Sequence, residues 1–248
     1  MGELVAILSG KGGTGKTSVC AGISIALAAG GKKVLCIDCD VGLRNLDISL
    51  GLTDCAPLSF LDVTEGGYHL NQAPQHPLFP SLYFLTAPMN RSAEQIELLA
   101  FSEMLQKARR EFDYILLDAP AGVDAGFRLA AVPADRCILV TGAGPAAVRD
   151  AARVGEILEL MEKKDVRLIV NRVDREMFAY LQLTVDDIMD TAGLPLLGIV
   201  PEDPNVIFAA ACARPVAKFK KRTAAVKAYQ RIANRIQGLP EPITLRYL

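Results

Sequence analysis

The chain has 248 residues, a formal net charge of −1 and a hydrophobic content of 51%. A chain of this length buries roughly three quarters of its unfolded surface, so its core needs no disulfide or metal. The charge gives no support to wholesale nucleic-acid binding, and no apolar run approaches the roughly 20 residues of a membrane span. No basic region precedes the first predicted strand, so we expect no secretory signal and a cytoplasmic protein. Without linkers or repeats, one domain over residues 1–248 is expected.

Short β-rich runs alternate with helical periodicity along the chain, which is typical of βαβ units and a parallel sheet. The predicted strands are 4–9, 33–38, 82–86, 114–118, 136–141, 167–171 and 196–200. A last helix is predicted over about 219–237, where Gly238 and Pro240 end it. Within the less regular stretch 53–81, His69 and His76 are interpreted as loop residues without chemistry. We predict an α/β fold, a P-loop NTPase with a mostly parallel sheet of about seven or eight strands and helices on both faces.

The first predicted strand leads into a glycine-rich loop that satisfies the pattern G-x-x-x-x-G-K-[ST] at every required position. The loop residues are Gly10, Lys11, Gly12, Gly13, Thr14, Gly15, Lys16 and Thr17, and Ser18 follows on the next helix. The glycines let backbone N–H groups turn inward around a phosphate, and the helix start adds its positive dipole. Lys16 supplies a cation to the outer phosphates, and the Thr17 hydroxyl can bind Mg²⁺. The sequence therefore predicts a nucleotide site.

Carboxylates end two further predicted strands. Asp118 ends an apolar strand, where a carboxylate would hold Mg²⁺ through water, and the turn that ends at Gly122 can contact a γ-phosphate through its backbone N–H. Asp38 and Asp40 end the second strand two residues apart, so their side chains share one face. A strand-end turn with solvated carboxylates is the alternative interpretation of this pair, because turns favour Asp.

The run K-G-G-T-G-K-T at residues 11–17 resembles the deviant Walker A sequence of the bacterial MinD/ParA ATPases. The run D-C-D-V-G-L-R-N-L-D at 38–47 resembles the switch I segment of the MinD branch, and D-A-P-A-G at 118–122 resembles its switch II. The motifs V-R-D at 148–150, N-R at 171–172 and G-I-V-P-E-D at 198–203 follow in the family's order. The resemblance extends to about residue 238 and favours the MinD branch, chiefly through G-L-R-N-L-D.

This resemblance implies a Mg-ATP-dependent switch that dimerises around nucleotide, hydrolyses ATP slowly and acts in the spatial regulation of cell division, with partners of MinC/MinE type. It implies that Lys11 reaches the phosphates of the partner subunit and that Asp40 orients the attacking water. The implied catalytic residues are Lys11, Lys16 and Asp40, and the implied metal ligands are Thr17, Asp38 and Asp118. The implied nucleotide contacts are residues 10–18, Gly122, Asn171, Arg172, Pro201, Glu202 and Asp203, of which Asn171 and 201–203 lie beside adenine. Residues 171–174 also echo the guanine-reading N-K-x-D motif, so ATP is favoured while GTP stays open.

Two departures from the MinD pattern bear on assembly. MinD proteins usually carry Asn-Pro-Glu after the strand at 137–141, and the Glu is associated with nucleotide contact across the dimer; this chain has Gly142-Ala143-Gly144. MinD proteins commonly end in an amphipathic membrane helix, but Pro240 and Pro242 oppose a helix in residues 239–248, so membrane binding is not favoured. Two other functions remain open: a small-molecule phosphotransferase in which Lys11 acts in cis, and a nucleotide-binding scaffold with little hydrolysis.

Overall fold

The computed structural model describes residues 1–41, 43–220 and 222–243, which form a single-domain α/β fold. The strands are β1 (Glu3–Leu8), β2 (Val34–Asp38), β3 (Gln75–His76), β4 (Phe79–Leu85), β5 (Tyr114–Asp118), β6 (Arg136–Thr141), β7 (Asp165–Val173) and β8 (Leu196–Pro201). The helices are α1 (Lys16–Ala29), α2 (Leu46–Leu50), α3 (Phe60–Thr64), α4 (Leu98–Ala108), α5 (Ala125–Ala131), α6 (Pro145–Leu160), α7 (Arg175–Leu181), α8 (Val185–Ala192), α9 (Pro204–Ala211), α10 (Val216–Phe219) and α11 (Ala224–Ile236).

The strands of the described residues lie in one sheet in the order β3-β4-β2-β5-β1-β6-β7-β8. Only β3 runs antiparallel to its neighbour among these strands, so the predicted mostly parallel sheet is confirmed. β1 lies between β5 and β6, where the winding of the chain reverses direction. In open α/β sheets, ligands bind beyond the carboxyl ends of the strands at such a reversal. The loop that follows β1 occupies this place.

Both faces of the sheet are buried, which explains the continuous apolar runs in the sequence. Along β1, Leu4, Ala6 and Leu8 belong to one core cluster, and Val5 and Ile7 belong to the other. Successive side chains of a strand point to opposite faces. When there is a core on each side, both sets of side chains are buried, and the strand is apolar at successive positions.

The last helix differs from the prediction. It begins at Ala224, where the Thr223 hydroxyl accepts a hydrogen bond from the backbone N–H of Val226 at 3.2 Å. Residues 216–219 form the separate short helix α10, so the predicted start near residue 219 is wrong. The threonine cap stands inside a run with helical periodicity, and the pattern alone therefore did not reveal the break.

His76 is also placed differently from the prediction, because it lies buried in β3 and not in an exposed loop. Its Nε2 lies 2.8 Å from the carbonyl oxygen of Leu50, and its Nδ1 accepts a hydrogen bond from the N–H of Leu78 at 3.0 Å. The imidazole therefore joins β3 to the end of α2.

Residues 239–243 after α11 are not helical, and the Glu241 carboxylate accepts a hydrogen bond from the Asn234 amide at 3.0 Å. The rest of the tail that is predicted to be non-helical, 244–248, lies outside the described residues, as do Gly42 of the switch I segment and Lys221.

Candidate nucleotide site

Strand register brings the predicted carboxylates to the glycine loop. Asp38 at the end of β2 lies directly opposite Asp118 at the end of β5, and Asp118 lies opposite Ile7 of β1. Because these are parallel strands, their carboxyl ends share one edge of the sheet, where the loop at residues 10–17 begins. The arrangement follows from sheet topology and places residues more than 100 positions apart in one site.

Glycine is required at different positions of the loop for different physical reasons. Gly13 and Gly15 have φ angles of +82° and +83°, in the left-handed region that residues other than glycine rarely adopt. Gly10 is needed for packing, since a Cβ there would lie 2.6 Å from the carbonyl oxygen of Asp150 in α6. The close contact of α6 with the start of the loop was not predictable from the motif.

The loop offers a set of hydrogen-bond donors without protein acceptors. Within the described part of the chain, no backbone N–H of residues 11–17 donates to a protein group. The Thr14 hydroxyl is likewise buried without a hydrogen-bond partner among the described residues. Thr14 and Lys16 are buried while residues 11–13 are exposed, so the buried Thr14 hydroxyl is the costly unpaired donor and the exposed N–H groups stay open to a ligand. The cradle at the start of α1 fits phosphate groups.

Lys16 forms a buried ion pair at the base of the loop. Its Nζ lies 2.6 Å from Oδ1 of Asp118, and the two side chains are only 7% and 1% exposed. Burial alone would lower the pKa of Lys16, but the Asp118 carboxylate outweighs burial and raises that pKa, so the ammonium group stays charged. Thr17 stands beside this pair, with its hydroxyl oxygen 3.3 Å from Lys16 Nζ.

The cluster also carries excess negative charge. Burial, assisted by the neighbouring Asp118 carboxylate, raises the pKa of Asp38 to about 7. Two buried carboxyl groups share one ammonium group, and this crowding of acids, which adds to burial in raising the pKa of Asp38, would be relieved by a divalent cation held by Thr17 and Asp118. In the described ranges, no three His, Cys, Asp or Glu side chains are grouped as a metal cage. This is compatible with Mg²⁺, which usually takes one or two carboxylates together with substrate phosphates and water.

Asp38 has a role in this structure that the sequence did not predict. Its carboxylate accepts hydrogen bonds from the backbone N–H groups of Asp40 at 2.9 Å, Asn45 at 3.1 Å and Leu46 at 3.1 Å. These bonds anchor both ends of the switch I turn, and metal binding by Asp38 stays a prediction. Asp40 is half-buried, and burial raises its pKa although Lys16 opposes the shift.

Switch II is joined to the loop by a backbone hydrogen bond. Gly122 has a φ angle of +95°, and its N–H donates to the carbonyl oxygen of Ser9 at 3.0 Å. The N–H that is predicted to contact a γ-phosphate is therefore engaged in this structure. Contact with a phosphate requires that this hydrogen bond be exchanged.

The residues predicted to lie beside the base line one pocket of about 130 Å³, next to the start of α1. Its walls are Gly15, Ser18, Asn171, Arg172, Val200, Pro201, Glu202, Asp203, Val206, Ile207 and Tyr229. Arg172 pairs with Glu202 at 2.8 Å. The Asp203 carboxylate accepts from the N–H groups of Asn205 at 3.0 Å and Ala225 at 3.1 Å, so it caps α9 and connects it to α11.

Sequence reasoning missed the contribution of Tyr229 to this pocket. The one available signal was Gly22 in the interior of α1, because a glycine in a helix often marks a close approach. A Cβ at Gly22 would lie 2.3 Å from Cδ2 of Tyr229. The glycine predicts that something packs closely there, but not which residue.

Comparison with known proteins decides the family. The CobQ/CobB/MinD/ParA nucleotide binding domain matches residues 5–216. The chain belongs to this family. The septum site-determining protein MinD of Synechocystis sp. is 39% identical and covers 98% of this chain and 92% of its own length.

Solved structures of MinD proteins share the fold over nearly the whole chain. A MinC:MinD cell division protein complex from Aquifex aeolicus matches with a TM-score of 0.89 and 36% identity, over 98% of each chain. MinD from Pyrococcus horikoshii, solved with Mg-ADP, matches with a TM-score of 0.83 and 29% identity, over 95% of this chain and 96% of its own.

The lysine that distinguishes the MinD/ParA loop lies on an open groove. Lys11 is exposed, and its side chain forms no hydrogen bond or ion pair with the described residues. The groove of about 610 Å³ is lined by residues 11–14, 142–147, 172, 174, 177 and 202. Residues 142–144, where MinD proteins usually carry Asn-Pro-Glu, contribute no acidic side chain to it.

Proposed function

We propose that this chain is a Mg-ATP-dependent switch ATPase of MinD type, which dimerises around nucleotide and acts in the spatial regulation of cell division. The observation that carries the proposal is the loop at residues 11–17, whose N–H groups have no protein acceptor among the described residues and which stands above the Lys16–Asp118 pair. Two of the matches support it: a relative named for septum-site determination and a solved MinD bound to Mg-ADP.

In this proposal each residue of the site has a separate role in hydrolysis. The loop N–H groups bind the outer phosphates, and Lys16, held at 2.6 Å from Asp118, supplies the fixed cation. Thr17 and Asp118 are the residues that would hold Mg²⁺, which would neutralise charge on the phosphates when bound. Asp40 orients the attacking water, and its raised pKa suits a carboxylate that accepts a hydrogen bond from water. Turnover without a partner should be slow, on the order of 10⁻² s⁻¹ or below.

The switch segments give the nucleotide state a structural consequence. A γ-phosphate competes with Ser9 for the N–H of Gly122, which lies 3.0 Å from that carbonyl oxygen. Asp38 anchors the switch I turn through backbone N–H groups, and the Asp40 carboxyl lies close enough to Lys16 and Asp118 to interact with their charges. A ligand shifts such an equilibrium only through contacts that differ between the two states. The γ-phosphate supplies that difference and hydrolysis removes it.

Assembly follows from the position of Lys11. An exposed ammonium group beside the groove can reach the phosphates of a second copy, which is the family's mode of dimerisation. Partners of MinC/MinE type are proposed because a relative of known structure is a MinC:MinD complex. Nucleic acid is not an expected partner, and a cytoplasmic location is proposed with membrane attachment not favoured. Among the described residues, no helix combines the length and apolar character needed to cross a bilayer.

A phosphate-release assay tests the proposal. The wild type should bind Mg·ATP, prefer it to Mg·GTP and release phosphate slowly. Lys16→Met should neither bind Mg·ATP nor release phosphate. ATP binding without any phosphate release would identify a nucleotide-binding scaffold, and transfer of phosphate to a small molecule would identify a phosphotransferase.

A further inference from the structure

Tyr229 of α11 lines the base pocket, which is the pocket of about 130 Å³ next to the start of α1. It is 2% exposed, and it shares the pocket with Asn171, Glu202 and Asp203. Its ring fills the space left by the absent side chain of Gly22 in α1. The helix that carries the phosphate loop therefore fixes the position of this ring, so that the hydroxyl has little freedom relative to the loop.

The Tyr229 hydroxyl is available for a ligand. It forms no hydrogen bond within the described part of the chain. Burial, with the Asp203 and Glu202 carboxylates adding to it, raises the pKa of Tyr229 well above its usual range. The group is thus a neutral hydroxyl that can both donate and accept. Tyrosine hydroxyls in largely buried side chains usually have a hydrogen-bond partner, and Tyr229 lines the base pocket, so a ligand in that pocket can supply the partner.

The side-chain nitrogen of Asn171, by contrast, is committed to the loop. Its Nδ2 donates to the carbonyl oxygen of Thr14 at 2.7 Å, and the side chain is buried. The same nitrogen would lie 2.3 Å from a Cβ at Gly15, so the amide is packed directly on the loop backbone. Asn171 is therefore suited to hold the phosphate cradle in shape.

We infer that the Tyr229 hydroxyl hydrogen-bonds the purine base of the nucleotide, and that Asn171 is a positioning residue for the phosphate loop. This assignment rests on the proposed function and deepens it. It separates two effects: the Tyr229 hydroxyl acts on the base, and the Asn171 side-chain nitrogen acts on the phosphates through the loop.

The test compares ATP with inorganic tripolyphosphate, which carries the phosphates without the base. Tyr229→Phe removes only the hydroxyl and keeps the ring against Gly22. It should weaken Mg·ATP binding about 3- to 10-fold, the value of one neutral hydrogen bond, and leave tripolyphosphate binding unchanged. Asn171→Ala is the matched control and should weaken both ligands by a similar factor. Titration calorimetry gives the affinities, and thermal melts confirm that the variants are folded.

Failure of the Tyr229 assignment and failure of the proposed function give different results. Unchanged ATP affinity in Tyr229→Phe, with a wild type that binds ATP, would overturn the assignment of the hydroxyl. Equal weakening of ATP and tripolyphosphate in that variant would also overturn it, because the hydroxyl would then act through the loop. A loss confined to ATP in Asn171→Ala would overturn the positioning role. A wild type that binds neither ligand would overturn the proposed function itself.

Discussion

The Lys16–Asp118 pair allows stability and nucleotide binding to be separated experimentally. Lys16→Met keeps the apolar stem but leaves the Asp118 carboxylate, which is 1% exposed, without its cation. Removal of one partner of a buried pair typically costs about 3–5 kcal/mol. Asp38, directly opposite Asp118 in the register, adds a second buried carboxylate and places this variant at the upper end of that range.

The double variant Lys16→Met/Asp118→Asn removes both charges of the pair. Replacement of a buried ion pair by neutral groups is often close to neutral in stability, so most of the loss should be recovered. Neither variant should bind Mg·ATP, because the fixed cation is absent from both. Urea unfolding without nucleotide and titration calorimetry measure the two quantities. A single variant as stable as the wild type, or a double variant no more stable than the single, would refute the reasoning.

Three further perturbations address separate parts of the molecule. Lys11→Ala should bind Mg·ATP through Lys16 and the loop N–H groups yet stay monomeric in light scattering; an ATP-dependent dimer like that of the wild type would contradict the role of Lys11. Asp40→Ala should bind ATP and release no phosphate, and a normal rate of release would show that Asp40 does not orient the water. Burial lowers the pKa of His76, with the nearby Lys218 acting in the same direction and the bond to Leu50 opposing it. The folded state therefore disfavours the proton, so stability should be constant above the unfolded pKa of about 6.5 and fall as the pH drops below it. Urea unfolding as a function of pH should show this loss in the wild type but not in His76→Asn; the same pH dependence in both would contradict the assignment.

Much of the framework could be predicted because local pattern and topology agree. Residues 114–118 and 136–141 were predicted as strands with the bounds that the structure has. Buried parallel strands form short apolar runs, and the polar residues that follow them lie at one edge of the sheet. The two carboxylate positions and the base-pocket residues 171 and 201–203 could therefore be collected from motifs that are far apart in the chain.

What the sequence did not reveal depends on contacts between distant elements. Tyr229 reaches the base pocket only because α11 packs on α1 at Gly22, and periodicity predicts that a helix has a buried face without naming its neighbour. The spacing of Asp38 and Asp40 predicted two carboxylates on one face. It did not indicate that Asp38 accepts hydrogen bonds from backbone groups as far along the chain as Leu46. The glycine motif likewise does not show that Asn171 supports the loop.

The central claim is that nucleotide state controls assembly, and the molar mass in solution tests it most directly. Light scattering should give the 26.7 kDa of one chain without nucleotide and with Mg·ADP, and twice that mass with Mg·ATP. Asp40→Ala should hold the dimer for as long as ATP is present. A mass of one chain in all three conditions, in protein shown to bind Mg·ATP, would contradict the account.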